Sequence, residues 1–516
     1  MNTIKPLKGI FILAGVLTLL LLLLAACGGS APAAPASSTG GQATATTASV
    51  VVQATATPAS SASAQATATT GPGATPIAVS GGQGCAANAQ KLTWFVGLGA
   101  GGDPDVVPKE KDWVDNFNKS QTDYCLILQV MHNPESYDTL KARLAAGGDV
   151  PDIVGPVGRV GMATFKGAWV DLTPLATKSG FDLNVYDKTL LDFVKDTNGQ
   201  LIALPFALYP GVLYYNKKLF DEAELPYPPH KVGDKYQGKD WNLDTFTELA
   251  KKLTVDKAGN TPLDAKFDPK SIQQFGAWMA FTDARRFTAL FGGGIPYDPA
   301  NPTVAKIPDN WKQAWHWYYD GMWKDWFMPN SDYMNSDQFG KGNSFSSGNV
   351  AMTWSFTWYT CCFDMAKLPW DIAVPPTVNG KLTAGGDIDN FAILKQSKNQ
   401  DAAFKVLTQM ALDKELPKIF GSLPGKKEDR PDWYAAMQKR AEPNKIDWTV
   451  ADAMLNYPDI PNHEAWVPNQ TKANDLFQKF GTLMQGTPNL NLDDEITKVQ
   501  SQLDALFKEP GAIPAQ

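Results

Sequence analysis

The chain has 516 residues, with 46 Lys and Arg against 53 Asp and Glu, for a formal net charge of −7. It carries no extended Lys/Arg run, so it lacks the basic footprint that nucleic-acid binding needs. With 16 Trp, 25 Phe and 15 Tyr it has far too much apolar material for a disordered chain.

The N-terminus reads as an address. Lys5 and Lys8 form a basic region, Ile10 to Leu24 an apolar run, and Leu24-Ala25-Ala26-Cys27 a small-residue cleavage site, which together make an export signal over residues 1–27. The apolar run is shorter than the roughly 20 residues of a membrane span. Because the site ends on cysteine it resembles the lipobox of bacterial lipoproteins. That resemblance implies a diacylated Cys27 as the mature N-terminus, anchored by lipid to the outer face of the cytoplasmic membrane.

Residues 28–90 contain no charged side chain and consist largely of Ala, Thr, Ser, Gly and Pro. Such a stretch buries too little apolar area to offset its ordering entropy, and is expected to be a tether that holds the body clear of the surface.

The body opens with a predicted strand at Lys91–Val96, a glycine-rich turn, a helix near Val106–Lys119, a strand at Leu126–Met131 and a helix at Ser136–Ala146. The βαβα alternation predicts a mainly parallel sheet whose ligands bind beyond the carboxyl ends of its strands. Asp149 to Val154 predicts a third strand and Gly199 to Pro205 a fourth. From Trp241 to Trp370 the chain is dense in aromatics, mostly helical in period and broken by Gly292-Gly293-Gly294, which marks a second lobe with its own core.

An exported chain meets an oxidising compartment. Removing Cys27 leaves Cys85, Cys125, Cys361 and Cys362. Cys85 and Cys125 each precede one of the first two strands, so adjacent parallel strands would bring them to one sheet edge, and this pairing is favoured. Cys361 and Cys362 are then left as neighbours, a vicinal disulfide or two thiols.

Five ordered motifs then match one family. Tyr137 to Pro156 (YDTLKARLAAGGDVPDIVGP), Trp169 to Leu175 (WVDLTPL), Leu204 to Leu225 (LPFALYPGVLYYNKKLFDEAEL), Phe345 to Tyr359 (FSSGNVAMTWSFTWY) and Phe391 to Ala411 (FAILKQSKNQDAAFKVLTQMA) resemble the family 1 extracellular solute-binding proteins of ABC importers, whose relatives include maltose- and multiple-sugar-binding proteins. The resemblance implies an α/β, two-lobed, type II periplasmic-binding-protein-like fold with a hinge and an interlobe cleft. It implies discontinuous lobes, one of residues 91–207 and 378–421 and the other of 208–377 and 422–516, crossing near Leu204–Tyr209 and Ala373–Thr377. Two segments depart from smaller relatives: Pro228 to Lys239, and the stretch after Trp448 that includes Tyr457 to Asn469.

Gly97-x-Gly99-x-x-Gly102 has dinucleotide spacing, but Asp103 and Asp105 stand where a pyrophosphate would rest. Gly99 and Asp103 better suit a sugar hydroxyl, or a plain turn with a helix cap. The four histidines are scattered, with no metal spacing and no triad, and no carboxylate pair is marked as hydrolytic. No cofactor and no metal is expected.

Sugars need aromatic platforms and planar polar groups. By resemblance, Trp354, Trp358 and Tyr359 lie where the family places cleft residues, with core packing as the competing reading. Trp278 and Arg285 carry the same alternatives more weakly. Tyr209, Gly386, Asp387 and Asp389 gain from their places near the expected crossings, and Arg159 from following the Pro-Asp-Ile strand.

The reading is therefore a monomeric, non-enzymatic carrier of a carbohydrate, partnered by the permease of an ABC importer. A secreted carbohydrate-active hydrolase or lyase is the enzymatic alternative, and an adhesive surface lipoprotein the third.

Overall fold

The computed structural model describes residues 78–80, 83–102 and 106–513, apart from 197, 281–282 and 421. The expected signal, Cys27, the tether up to residue 77, and Asp103 lie outside the described residues, whereas the far end of the expected tether holds a strand at Ala78–Ser80 and the disulfide-bonded Cys85.

The first half of the sheet is built from the predicted alternation. β1 (Ala78–Ser80), β2 (Gln90–Val96), α1 (Val107–Ser120), β3 (Tyr124–Val130), α2 (Asn133–Ala146) and β4 (Ile153–Val157) follow in order. Helix α2 ends where Gly147 adopts a left-handed φ of 62° and returns its N–H to Leu144, a conformation glycine takes without a Cβ clash. β2 pairs in parallel with β3 and with β4, setting Leu92 opposite Leu126 and Trp94 opposite Ile153. These strands are nearly continuous apolar runs because helices cover both faces of a parallel sheet. A disulfide joins Cys85 to Cys125 across 5.3 Å between Cα atoms, at the edge where β2 and β3 begin.

The fourth strand lies later than the expected Gly199 to Pro205 and shares only Leu204 and Pro205 with it. β5 runs from Leu204 to Asn216, thirteen residues, all buried, and belongs to both halves of the molecule. The halves become clear once the later elements are placed: α3 (Arg159–Thr164) after β4, then α4 (Leu243–Lys252), β6 (Val255–Asp256), β7 (Ile272–Met279), α5 (Asp309–Trp323), β8 (Val350–Phe356), β9 (Trp370–Ala373), β10 (Gly386–Ile393), α6 (Gln400–Ala411), β11 (Leu423–Pro424), α7 (Arg430–Ala441), α8 (Thr449–Met454), α9 (Gln470–Gly486) and α10 (Leu492–Phe507). The strand order is β1-β3-β2-β4-β10-β5-β8-β7-β6, with β9 and β11 also on β5.

Residues 204–210 of β5 pair antiparallel with β10, and residues 211–215 with β8. The passage between the two falls at Gly211, where a Cβ would stand 2.0 Å from the carbonyl oxygen of Ala384. No other residue fits so close an approach.

Two sequence readings change. Residues 241–370 are not mostly helical: β7 and β8 pair in parallel within them, and β9 adds to β5. Their strands escaped detection because both faces are buried, so the chain reads as a continuous apolar run that periodicity cannot tell from a buried helix. The expected crossing at Ala373–Thr377 also moves, since β9 still pairs with the β8 half of β5, and the chain passes back only at Ala384–Gly386.

Candidate functional site

The site lies where three strand ends and a late loop converge. β2 stops at Val96, and the chain turns through Gly97, whose φ is 139°, into Leu98, Gly99 and Ala100. A Cβ on Gly99 would fall 2.9 Å from Asp389 Oδ2, so this loop lies directly against β10. Ala100 N–H donates to the same oxygen at 2.9 Å. The backbone donor that a pyrophosphate would require is thus committed to a carboxylate, which sets the dinucleotide fingerprint aside.

β10 supplies the acids. Asp387 and Asp389 are two residues apart on a strand and so project from the same face. Asp389 is 8% exposed, and burial, with Asp387 and Glu464 nearby, pushes its carboxyl up to about 7 despite the Ala100 donor. Burial also works against the charge of Asp387. Arg286, His463 and the Trp358 N–H outweigh it and hold that carboxyl below the usual range. Trp358 Nε1 donates to Asp387 Oδ2 at 2.7 Å. β5 adds Tyr209, opposite Asp387 in the register and 5% exposed, its phenol raised chiefly by burial.

The second lobe contributes cations and a late loop. Arg286 donates to Glu464, and its guanidinium lies 5.8 Å from the Trp358 ring. Burial opposes its charge, while Glu464 and Asp387 hold it firmly protonated. His463, fully buried, stacks on Phe356 at 5.4 Å, bonds Asp459 at 2.8 Å and faces Asp387 Oδ1 at 3.4 Å. Burial disfavours its imidazolium, but Asp459 and Asp387 prevail and carry it to about 10. From the first lobe Arg159 donates to the carbonyl of Phe193 at 2.7 Å and rests 4.8 Å from its ring. Burial lowers its pKa.

Arg159, Tyr209, Arg286, Trp358, Asp387, Asp389 and Glu464 line a chamber of about 390 Å³, completed by Asn133 and Tyr137, with His463 behind Asp387. Asn133 is fixed by donating to Gly97 O at 2.9 Å. Ligand atoms of Asp387, His463 and Glu464 lie within 4.8 Å of one another. They do not suit a metal ion, because the Arg286 guanidinium and the His463 imidazolium already supply the positive charge at that spot.

Of the residues singled out from sequence, the structure brings Gly99, Arg159, Tyr209, Trp358, Asp387 and Asp389 to this one chamber. Five others lie elsewhere. Trp354 is 1% exposed within β8, edge-on to Phe356 at 5.1 Å, and is core. Tyr359 is buried edge-on to Tyr214 and donates to Asn343. Trp278 is buried in β7 with its N–H on Met334 Sδ. Trp354 and Trp278 are buried because both faces of their strands are covered, and Tyr359 because its turn packs its ring back among aromatic side chains. Gly386 donates to Asp459 Oδ1 at 3.3 Å, so it braces the late loop and does not line the chamber. Arg285 is likewise structural, donating to Asn474 and to the carbonyl of Ala465.

Sequence reasoning missed Arg286, Glu464, Asn133 and Tyr137. For Glu464 a signal existed, since Tyr457 to Asn469 stood out as an added segment.

The sequence profile described as bacterial extracellular solute-binding protein matches residues 112–422. The chain belongs to that family. Among proteins of curated function no sequence matches it. UspC of M. tuberculosis is 17% identical, with 81% of this chain and 100% of that one covered at a TM-score of 0.62. An ABC substrate-binding protein of Listeria monocytogenes, in complex with cycloalternan, is 18% identical over 81% and 99% of the two chains, at 0.59. Maltose-bound MalE3 of T. maritima is 18% identical over 81% and 100%, at 0.54. The fold is accordingly the two-lobed α/β arrangement of type II binding proteins, and the family makes the chain an extracellular solute-binding protein. No helix among the described residues is long and apolar enough to cross a membrane.

Proposed function

We propose that this protein captures a carbohydrate or polyol between its lobes and delivers it to an ABC permease without chemical change, held at the membrane by a lipid on Cys27. The observation that carries the reading is the chamber itself. It sets an aromatic plate, Trp358, beside two acceptors, Asp387 and Asp389, with Arg286 and Arg159 as planar donors. A sugar offers a C–H face to the first and vicinal hydroxyls to the others. Its volume suits a ring or two in a mostly preformed site.

Both lobes contribute: Gly99, Arg159 and Asn133 from one, Trp358 and Arg286 from the other. A ligand touching both favours the closed arrangement by its differential contacts, and closure is the shape a permease reads. The folds that hold cycloalternan and maltose in the two neighbours support the ligand class.

The test is a thermal-shift screen of mono- and oligosaccharides and polyols, followed by calorimetry. The reading expects one class to raise the melting temperature and to bind one to one. Release of cleaved product would favour a hydrolase or lyase, and no response to any sugar or polyol would contradict it. For the anchor, Cys27→Ala should move the protein out of the membrane fraction. Retention there after signal removal would contradict lipidation.

A further inference from the structure

A second chamber of about 250 Å³ opens between the lobes next to the first, and Arg159 belongs to the walls of both. The two differ in polarity. The first gathers Asp387, Asp389 and Glu464 around Arg159 and Arg286. The second has an apolar floor of Met162, Trp169, Ile202 and Ile295, and its charged groups are Arg159, Lys166, Lys195 and Lys395 against one acid, Asp196.

Those cations are not all spent on protein acids. Lys195 is paired with Asp192 at 2.7 Å. Among the described residues Lys166 and Lys395 make no ion pair. The Lys166 ammonium lies 3.8 Å from the centroid of the Trp466 ring, and burial disfavours its charge there. Arg159 Nε is buried without a hydrogen-bond partner among the described residues. A half-enclosed apolar pocket with a cationic rim favours an anion that brings its own apolar surface.

The floor and rim come from both lobes. Lys166 and Trp169 follow α3, whereas Ile295 and Trp466 belong to the second lobe, Trp466 within the added segment Tyr457 to Asn469. An occupant therefore bridges the lobes as a ligand in the first chamber does.

We propose that the second chamber is a ligand subsite for a carboxylate-bearing sugar ring, a uronate, joined to a neutral ring in the acid-lined chamber, with Arg159 between the two. The acids of the first chamber repel the carboxylate and the lysines of the second attract it, so the pair of chambers sets the direction in which an acidic oligosaccharide lies. This rests on the carbohydrate reading of the first chamber.

The experiment is calorimetry of the full chain with disaccharides that join a uronate to a neutral sugar, from xylan and from pectin, each beside its carboxyl-reduced counterpart. The expected result is at least tenfold tighter binding of one acidic disaccharide than of its reduced form. That ratio should fall toward one in Lys166→Met/Lys395→Met. If the double variant does not fold, raising the salt from 20 to 500 mM should lower the ratio in the unaltered protein. Neutral sugars that bind with no acidic preference, or a preference that neither the variant nor salt moves, would overturn the subsite and leave the first chamber standing. Binding of no sugar of either kind would overturn both.

Discussion

Trp354 and Trp358 are four residues apart in one aromatic run, yet they stand in different surroundings. Trp354 stands inside β8, whose two faces are both covered, and its ring packs against Phe356. Trp358 stands just past the strand end, in a 3-10 turn, half-buried, with its N–H on Asp387 and the Arg286 guanidinium over its ring. In this run the ring inside the covered strand is shut away from the chamber, and the ring just past the strand end lines it. Between these two tryptophans it is position relative to the strand end, not residue type, that separates a chamber wall from the core.

The largest expected effect comes from the strand body. Trp354→Ala should lower stability by about 3–5 kcal/mol, the usual cost of emptying a large buried aromatic site. Denaturant titration should show this, with sugar affinity in the folded fraction little changed. Trp358→Ala should do the reverse, weakening sugar binding by about 2–3 kcal/mol, roughly 30- to 150-fold, with only a modest loss of stability. If both variants lose stability alike and neither loses affinity, the contrast fails and both are packing.

How much of this contrast was legible in the sequence follows from the same geometry. The βαβα opening could be read because its turns, Gly147 included, interrupt clean apolar runs. β7 and β8 could not, because a strand buried on both faces has no alternation to read. Asp387 and Asp389 were legible from their place near an expected crossing, even though the crossing itself lies about ten residues later. Arg286 and Glu464 were not. They are 178 residues apart and become neighbours only when the late loop folds over the cleft.

A smaller effect concerns pH. Asp389 has its carboxyl raised to about 7, above the ordinary value near 4, so the folded state binds its proton more tightly than the unfolded state. Its contribution to stability is full below about pH 4 and is lost as pH rises through 7. Asp389→Asn removes that slope. Between pH 5 and 8 the unaltered protein should lose on the order of 1–2 kcal/mol more than the variant, allowing for the water that a cleft admits. Equal losses would mean that Asp389 does not titrate there, and His463, held near 10, would account for any shared slope above pH 6.5.

The smallest effect separates the ring of Trp358 from its N–H. Trp358→Phe keeps an apolar plate and removes the donor to Asp387, so affinity should fall by about 1 kcal/mol, clearly less than in the alanine variant. Equal losses in the two would place the interaction in the indole N–H alone and remove the argument for stacking.

The most direct measurement of the central claim, that a sugar is held by groups of both lobes in the acid-lined chamber, is hydrogen–deuterium exchange with and without the bound sugar. The account predicts that protection rises together in two separated stretches, the loop Gly97–Ala100 and the turn Thr357–Tyr359. Protection confined to one of them, at a sugar concentration that saturates binding, would contradict it.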